Sequence, residues 1–424
     1  MMSIDLRSLP SRRAGAALCL VLAACGGERA DGADPSTASD ASAVRPLPPP
    51  AAEGSGEPSL AVGPDGRVYL SWLEPAADSA HALRFSVLQG DAWSAPRTVA
   101  SGRDWFVNWA DFPTLAVLPG NRLAAHWLQR SGDGKYAYDV RVALSPDGGD
   151  TWTPGVVAHG DGTQTEHGFA SLWPGAGDSL ALVWLDGRKT AGTTGEDDPR
   201  REMTLRYTTV AADGRPAPDR EIDGRVCDCC QTGMAMTAAG PLVVYRDRSP
   251  SEVRDIYVTR LVDGAWTPGR PVHADGWVMQ ACPVNGPQAD AAGQRVAVAW
   301  FTGADNRLSV KLAFSDDAGA TFGVPVRVDG GNPEGRVDVL LLDDGAALVS
   351  WVERAGGTEA DVRIRRVAPD GTLGPPRSIA ASSSARSTGF PRMVRAGDHV
   401  VFAWTGPGKP STLHAARLAL TDLR

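Results

Sequence analysis

Three of the six cysteines in this 424-residue chain fall within four positions, Cys227-Asp228-Cys229-Cys230. A fourth, Cys282, follows in Gln280-Ala281-Cys282-Pro283. Four sulfurs can do two kinds of chemistry. In an oxidising compartment they form disulfides, and four cysteines allow three pairings. A Cys229–Cys230 bond is strained because adjacent Cα atoms sit closer than disulfide geometry favours. Cys227–Cys230 with Cys229–Cys282 is the least strained pairing, and Cys227–Cys229 with Cys230–Cys282 is possible. As thiolates, with His167 and with Met234, Met236 or Met279, they would instead suit Zn²⁺ or Cu(I). The Cys-x-Cys-Cys spacing is not that of a common zinc motif, so disulfides are the expected state.

The elements that position these residues are repeats. A short β-rich run ending in an aromatic recurs at Trp72, Trp127, Trp184, Tyr245, Trp300, Trp351 and Trp404, roughly 50–60 residues apart. Each run is preceded by an apolar stretch and a turn such as Gly63-Pro64-Asp65-Gly66. Asp-Gly suits a tight hairpin. A third and a short fourth strand complete each unit. Seven antiparallel four-stranded units predict an all-β propeller of seven blades, with six as the alternative. The seventh unit shows only three strands, and Val44-Arg45-Pro46-Leu47 is the expected closing strand.

Two turns carry a family resemblance. Ser145-Pro146-Asp147-Gly148-Gly149-Asp150-Thr151-Trp152 and Ser315-Asp316-Asp317-Ala318-Gly319-Ala320-Thr321-Phe322 fit the pattern Ser-x-Asp-x-Gly-x-Thr-Trp/Phe. This Asp-box (BNR repeat) resembles that of the sialidase superfamily of propellers. The resemblance implies a glycan ligand, three arginines clamping a carboxylate, an aspartate acid/base and a tyrosine activated by glutamate. The family's Phe/Tyr-Arg-Ile-Pro motif is absent, and no tyrosine follows Tyr257. None of the family's catalytic residues therefore carries over.

In a propeller the segments just before each inner strand converge on the axis. Stepping back a fixed distance from each marker aromatic selects Glu57, Asp111, His167, Cys229 with Cys230, Cys282, Arg336 and Thr388. Loops after the second strand add Glu74, Gln129, Asp186, Arg188, Arg246, Asp247, Arg248, Glu353 and Arg354. The expected site is thus axial: His167, Arg188, Arg246, Arg248 and Arg336 for an anionic glycan or other small ligand, with Asp111 as the carboxylate for glycoside hydrolysis. The loop from Asp186 to Glu202 is long enough to act as a lid.

Residues 1–24 read as a lipoprotein signal peptide. Arg7, Arg12 and Arg13 precede a short apolar run ending Leu22-Ala23-Ala24-Cys25. Cys25 is the expected lipidated residue, which would make a lipid anchor the only membrane contact of an exported envelope protein. Residues 25–56, rich in Ala, Ser, Pro and Gly, read as a tether, with 57–424 as the propeller. The net charge of −8 gives no electrostatic footprint for nucleic acid.

Overall fold

The computed structural model describes residues 44–193, 198 and 201–423. The expected signal peptide, Cys25 and most of the expected tether lie outside these residues, as do Gly195, Glu196 and Asp197 of the long loop. Within them the chain is a seven-bladed β-propeller of antiparallel blades. The only helices among the described residues are short 3₁₀ turns, and none is long and apolar enough to cross a membrane.

The innermost strands, in order, are Gly56–Val62, Leu115–Leu118, His167–Pro174, Gly233–Thr237, Gln288–Ala292, Pro333–Leu341 and Arg392–Ala396. The marker aromatics lie on the second strands. The seventh blade takes its outermost strand from the other end of the chain: Arg45 pairs with Arg417 and Pro46 with Ala416. The Leu47 amide then donates to the Ala415 carbonyl at 2.8 Å. This pairing closes the ring and covers an edge that would otherwise offer free N–H and C=O groups. The expected closing segment thus supplies the propeller's strand Arg45–Pro46.

The second strands are buried through their middles because both faces are covered by neighbouring blades. Trp72, Trp184, Trp300 and Trp351 are essentially inaccessible to solvent. Each buried indole N–H needs an acceptor. The Trp72, Trp184 and Trp351 amines donate to the carboxylates of Glu74, Asp186 and Glu353, two residues along the same strand. Trp300 finds Asp275 instead, at 2.7 Å. Period-two alternation puts residues i and i+2 on one face, so this satisfaction is local. Glu74, Asp186 and Glu353, expected at the axial mouth, are thereby engaged within the blades.

The two Ser-x-Asp turns are hydrogen-bonded alike. Asp147 accepts from the Thr151 amide (2.9 Å) and hydroxyl (2.6 Å), and Ser145 Oγ accepts from the Gly149 amide (2.7 Å). The Thr151 bonds hold the Asp147 carboxyl down at about 2. A Cβ on Gly149 would meet the Phe85 ring at 2.3 Å, so this turn can lie against the first blade only with glycine there. Trp152 packs on the same ring, and Arg97 of the first blade donates to the Gly148 carbonyl at 2.8 Å. The turn fastens one blade to the next.

Three innermost strands carry a bulge, at Gly56/Ser59, Gly168/Ser171 and Gly335/Asp338. Each contains a non-glycine residue at positive φ: Glu57 (52°), Phe169 (52°) and Arg336 (55°). Such residues are strained unless neighbours fix them. The Phe169 amide donates to Asp111 Oδ1 at 2.7 Å, and the Arg336 amide to Asn285 Oδ1 at 2.7 Å. Asp111 precedes the second blade and caps a bulge in the third. Asn285 precedes the fifth and caps a bulge in the sixth.

Candidate functional site

A bowl of about 750 Å³ opens where the loops of blades two to five meet, at the end of the axis where the inner strands begin. Its floor is formed by Tyr138 and Glu166, with Asp111 hydrogen-bonded beneath. The Tyr138 hydroxyl lies 2.9 Å from Glu166 Oε1 and 3.0 Å from Asp111 Oδ2. Tyr138 starts the third strand of blade two and stacks on Phe106, ring centroids 4.0 Å apart. Glu166 immediately precedes the inner strand of blade three. Burial pushes the Glu166 carboxyl up to about 8, with the nearby Asp111 and Asp228 charges acting in the same direction against the hydrogen bond from Tyr138. Burial likewise raises Asp111 to about 7. The phenol of Tyr138 is pushed well up by burial and by the two carboxyls. At neutral pH, then, Glu166 holds its proton and Tyr138 is a phenol, not a phenolate.

The wall is cationic. Arg225, Arg248 and Arg254 converge on one carboxylate, Glu252. Arg254 Nη2 lies 2.8 Å from Oε2, Arg248 Nε 3.0 Å from Oε1, and Arg225 Nη2 3.2 Å from Oε1. Burial works to raise the Glu252 carboxyl, but hydrogen bonds from Arg254 and Arg248 outweigh it and hold the group below the usual range. Glu252 sits at φ 59° in the turn Ser249–Val253, so its backbone is held in the left-handed region to keep the carboxylate there. Arg248 also contacts Asp228, and Arg225 contacts Glu202. Arg201 and Asp198, from the end of the long loop, line the bowl too. Trp109, Phe169 and the rim residue Tyr136, 39% exposed, add aromatic surface.

The Cys229–Cys282 disulfide forms part of the same wall. It joins the segment before blade four to the segment before blade five. Cys227 and Cys230 lie buried behind it, not bonded to each other, their sulfurs 3.3 Å apart. Of the favoured pairing, Cys229–Cys282 is present and Cys227–Cys230 is not bonded. With two of the four sulfurs bonded to each other, this state offers no four-thiolate set. Met234 and Met236 are placed along a second cavity, about 330 Å³, that follows the inner strands down the axis.

The residues selected from the sequence divide sharply. Arg248, Cys229 and Cys282 line the bowl. Asp111 sits beneath Tyr138 and reaches the axial cavity instead. His167 points the other way. Its ring is fully buried between blades two and three, stacked on His159 at 3.8 Å, with Nε2 3.2 Å from Asp161 and Nδ1 3.2 Å from the Tyr138 and Thr165 carbonyls. The choice missed by one position: strand alternation turns Glu166, not His167, to the bowl. Arg246 is a structural tie. Its guanidinium donates to the carbonyls of Asn285 (2.8 Å), Arg254 (2.6 Å) and Phe301 (2.7 Å). Arg336 ties blades six and seven through Thr388 (2.8 Å) and the Ser384 carbonyl (2.9 Å), and burial lowers its pKa to about 10. Arg188 is held by Asp186 through two bonds of 2.7 Å. Tyr138, Glu166, Arg225 and Arg254 were not selected. Arg225 lies two residues before Cys227, the one local signal that pointed to it.

No known family model matches the sequence, and no curated protein does. Solved structures similar to it include a protein of unknown function from Dyadobacter fermentans (12% identity over 88% of this chain and 98% of that one, TM-score 0.48). Another is the GH93 α-L-arabinofuranosidase of Fusarium graminearum with arabinobiose (14%, 90% and 98%, TM-score 0.49). A third is the NanB sialidase from Streptococcus pneumoniae (10%, 84% and 84%, TM-score 0.46). At these values the propeller architecture of this chain stands on its own strand pairing.

Proposed function

We propose that the bowl binds an acidic glycan, and that the protein does so as an exported lipoprotein held to a membrane through Cys25. The observation that carries the binding reading is the convergence of Arg225, Arg248 and Arg254 on one carboxylate inside a bowl of sugar-binding size. Guanidinium groups form forked bonds to carboxylates. Glu252 occupies the position that the carboxylate of a uronic or sialic acid would take. The partly exposed ring of Tyr136 suits the apolar face of a sugar ring. A protonated Glu166 adds no negative charge at neutral pH and can donate a hydrogen bond to a sugar oxygen. The resemblance of the Ser-x-Asp turns to those of sialidases points to the same ligand class.

Calorimetric titration at low salt with sialic acid, a uronic-acid-terminated oligosaccharide and a neutral oligosaccharide of equal length tests this. Binding of the acidic sugars alone is expected. Equal binding of the neutral one would sink the proposal. Retention of a Cys25→Ser protein in the membrane fraction would refute the anchor.

The affinity also has an expected pH profile. Between their ordinary values and their raised ones, Glu166 and Asp111 keep protons in the fold that the unfolded chain has lost. As pH rises through about 7 to 8, two negative charges appear below the bowl. Affinity for a carboxylate sugar should fall across that window, and Glu166→Gln should blunt the fall. By the same sign, folding stability should decline as pH rises from about 5 to 8, since the folded state binds the extra protons.

A second reading, glycoside hydrolysis, is favoured by one observation: a neutral Glu166 able to act as general acid. The un-ionised Tyr138 argues against that residue as a ready nucleophile. If fluorogenic sialosides or uronides are turned over, Glu166→Gln should lower kcat about 10²–10⁴-fold. No turnover by the unmutated protein removes this reading and leaves the binding one intact.

A further inference from the structure

Four sulfurs meet at the wall of the bowl in an arrangement that a structural staple does not require. The Cys229–Cys282 disulfide faces the bowl, with Cys282 exposed and Cys229 half-buried. Behind it, Cys227 Sγ lies within 4.8 Å of both bonded sulfurs. Cys230 Sγ lies 3.3 Å from Cys227 on the side away from the bowl. Cys227 also receives a hydrogen bond from Arg254 Nη1 at 3.3 Å.

We propose that these four cysteines form an internal thiol–disulfide relay, which moves one disulfide between an exposed inter-blade staple, Cys229–Cys282, and a buried local pair, Cys227–Cys230. The reading does not depend on what the bowl binds.

The roles follow from the surroundings. Burial alone would raise the Cys227 thiol, but the hydrogen bond from Cys230 and the charges of Arg254 and Arg246 outweigh it and lower it. Cys230 moves the opposite way, raised by burial and by its neighbour. Cys227 is therefore the thiolate and Cys230 holds the proton. The thiolate is the nucleophile in exchange. Cys227 attacks the Cys282 sulfur, the Cys229–Cys282 bond breaks, and Cys229 leaves with the electron pair. The Cys230 proton passes to that thiolate. Cys230 then attacks Cys227, forming Cys227–Cys230 and releasing Cys282. One disulfide, one thiol and one thiolate enter, and the same set leaves, so no outside oxidant or reductant is needed.

The two positions of the bond differ mechanically. Cys229–Cys282 ties the segment carrying Arg225 and Asp228 to the segment carrying Gln280 and Val284, and both segments line the bowl. Cys227–Cys230 closes a loop within one of them. Moving the bond unlinks the two halves of the wall and places a free thiol, Cys282, at the surface.

Disulfide mapping of the full chain, purified without reductant, tests this. After equilibration the protein is acid-quenched, alkylated in denaturant, and cleaved before Asp228, which separates Cys227 from Cys229 and Cys230. The unmutated chain should give both linkages as alternatives, each with the other two cysteines alkylated. Cys230→Ser should trap a Cys227–Cys282 mixed disulfide with Cys229 alkylated, and Cys227→Ser should retain Cys229–Cys282 alone. Two outcomes in the unmutated chain overturn the relay: Cys229–Cys282 as the sole linkage, or both disulfides together with none of the four alkylated. A Cys230→Ser chain lacking the mixed disulfide overturns Cys227 as the attacking group.

Discussion

A chain carrying both Arg225→Ala and Arg248→Ala should lose at least about 100-fold in affinity for a carboxylate sugar, and Glu252→Gln should gain about tenfold. Each charge-assisted hydrogen bond contributes about 1.5–3 kcal/mol, and each 1.4 kcal/mol is a factor of ten. Two guanidinium groups lost from the wall therefore remove at least two factors of ten. The double variant leaves Glu252 beside Arg254 alone and strips Asp228 and Glu202 of their arginine partners, so the site then repels an anion. Glu252→Gln does the reverse. The glutamine keeps the shape of the side chain and one acceptor, but removes one negative charge from among three guanidinium groups that a ligand carboxylate can then pair. Calorimetry at fixed low salt reads both effects, and thermal unfolding reports whether either variant has lost its fold. If Glu252→Gln weakens binding while the fold is kept, the carboxylate organises the arginines rather than competing with the ligand. The same titration at higher ionic strength should narrow the difference, because a partly open bowl is partly screened.

Asp186→Ala should be among the most destabilising single changes in the propeller, about 3–5 kcal/mol by denaturant titration. Asp186 has no solvent exposure. It accepts the Trp184 indole N–H at 2.8 Å, the Arg188 amide at 3.0 Å and the Arg188 guanidinium twice at 2.7 Å, with His167 Nε2 3.7 Å away. Truncation leaves a buried indole N–H without its acceptor and takes from Arg188 its two shortest bonds, leaving it Asp219 at 3.2 Å and Asp161 at 3.8 Å. Asp186→Asn, which keeps an acceptor, should cost less. The pH dependence provides a second readout. For Asp186, burial acts to raise the carboxyl, and Arg188 with His167 lowers it overall. A lowered folded value means stability that is present above the unfolded value of 3.8 and lost as pH falls through the folded one. For His167, burial acts to lower the ring, and Asp161, Asp186 and Asp139 raise it overall. Its contribution is present below the unfolded value of 6.5 and lost as pH rises through the folded one. Their joint support is therefore greatest between those two values. The Asp186→Ala chain should show a flatter profile below 3.8 and just above 6.5, where that support is otherwise lost.

Both expectations rest on residues that the sequence treated unequally. Asp186 was visible two residues after Trp184, but its position after a second strand marked it for the ligand. Only the blade shows that it serves the indole. Glu74 and Glu353 repeat the lesson. A charge at a strand end can face solvent or a buried donor, and the choice depends on which neighbouring blade covers that face.

What the sequence determined by itself is the repeat and its consequences. An aromatic recurring near every fiftieth residue requires seven like units. A seventh unit one strand short requires a partner from elsewhere, and Val44–Leu47 is where one was expected and where Arg45 and Pro46 pair. Two cysteines just before adjacent blades had to come close, as Cys229 and Cys282 do. These features follow from local pattern and chain connectivity alone. The tertiary structure decided the site. Glu166 and His167 are neighbours in sequence, and the pleat turns one to the bowl and the other into a histidine–aspartate stack. Tyr138 begins a third strand that carries no ligand signal, yet blade closure sets its hydroxyl against Glu166. Arg225 precedes the Cys227–Cys230 segment, whereas Arg248 and Arg254 flank the turn after the second strand of blade four. They meet only because two segments far apart in sequence fold over one mouth. Spacing records distance along the chain, whereas side-chain direction and loop path are set by packing against other blades. The same packing turned the opening cysteine cluster from an odd count of sulfurs into one wall of a bowl, with one bond on the surface and two unbonded cysteines behind it.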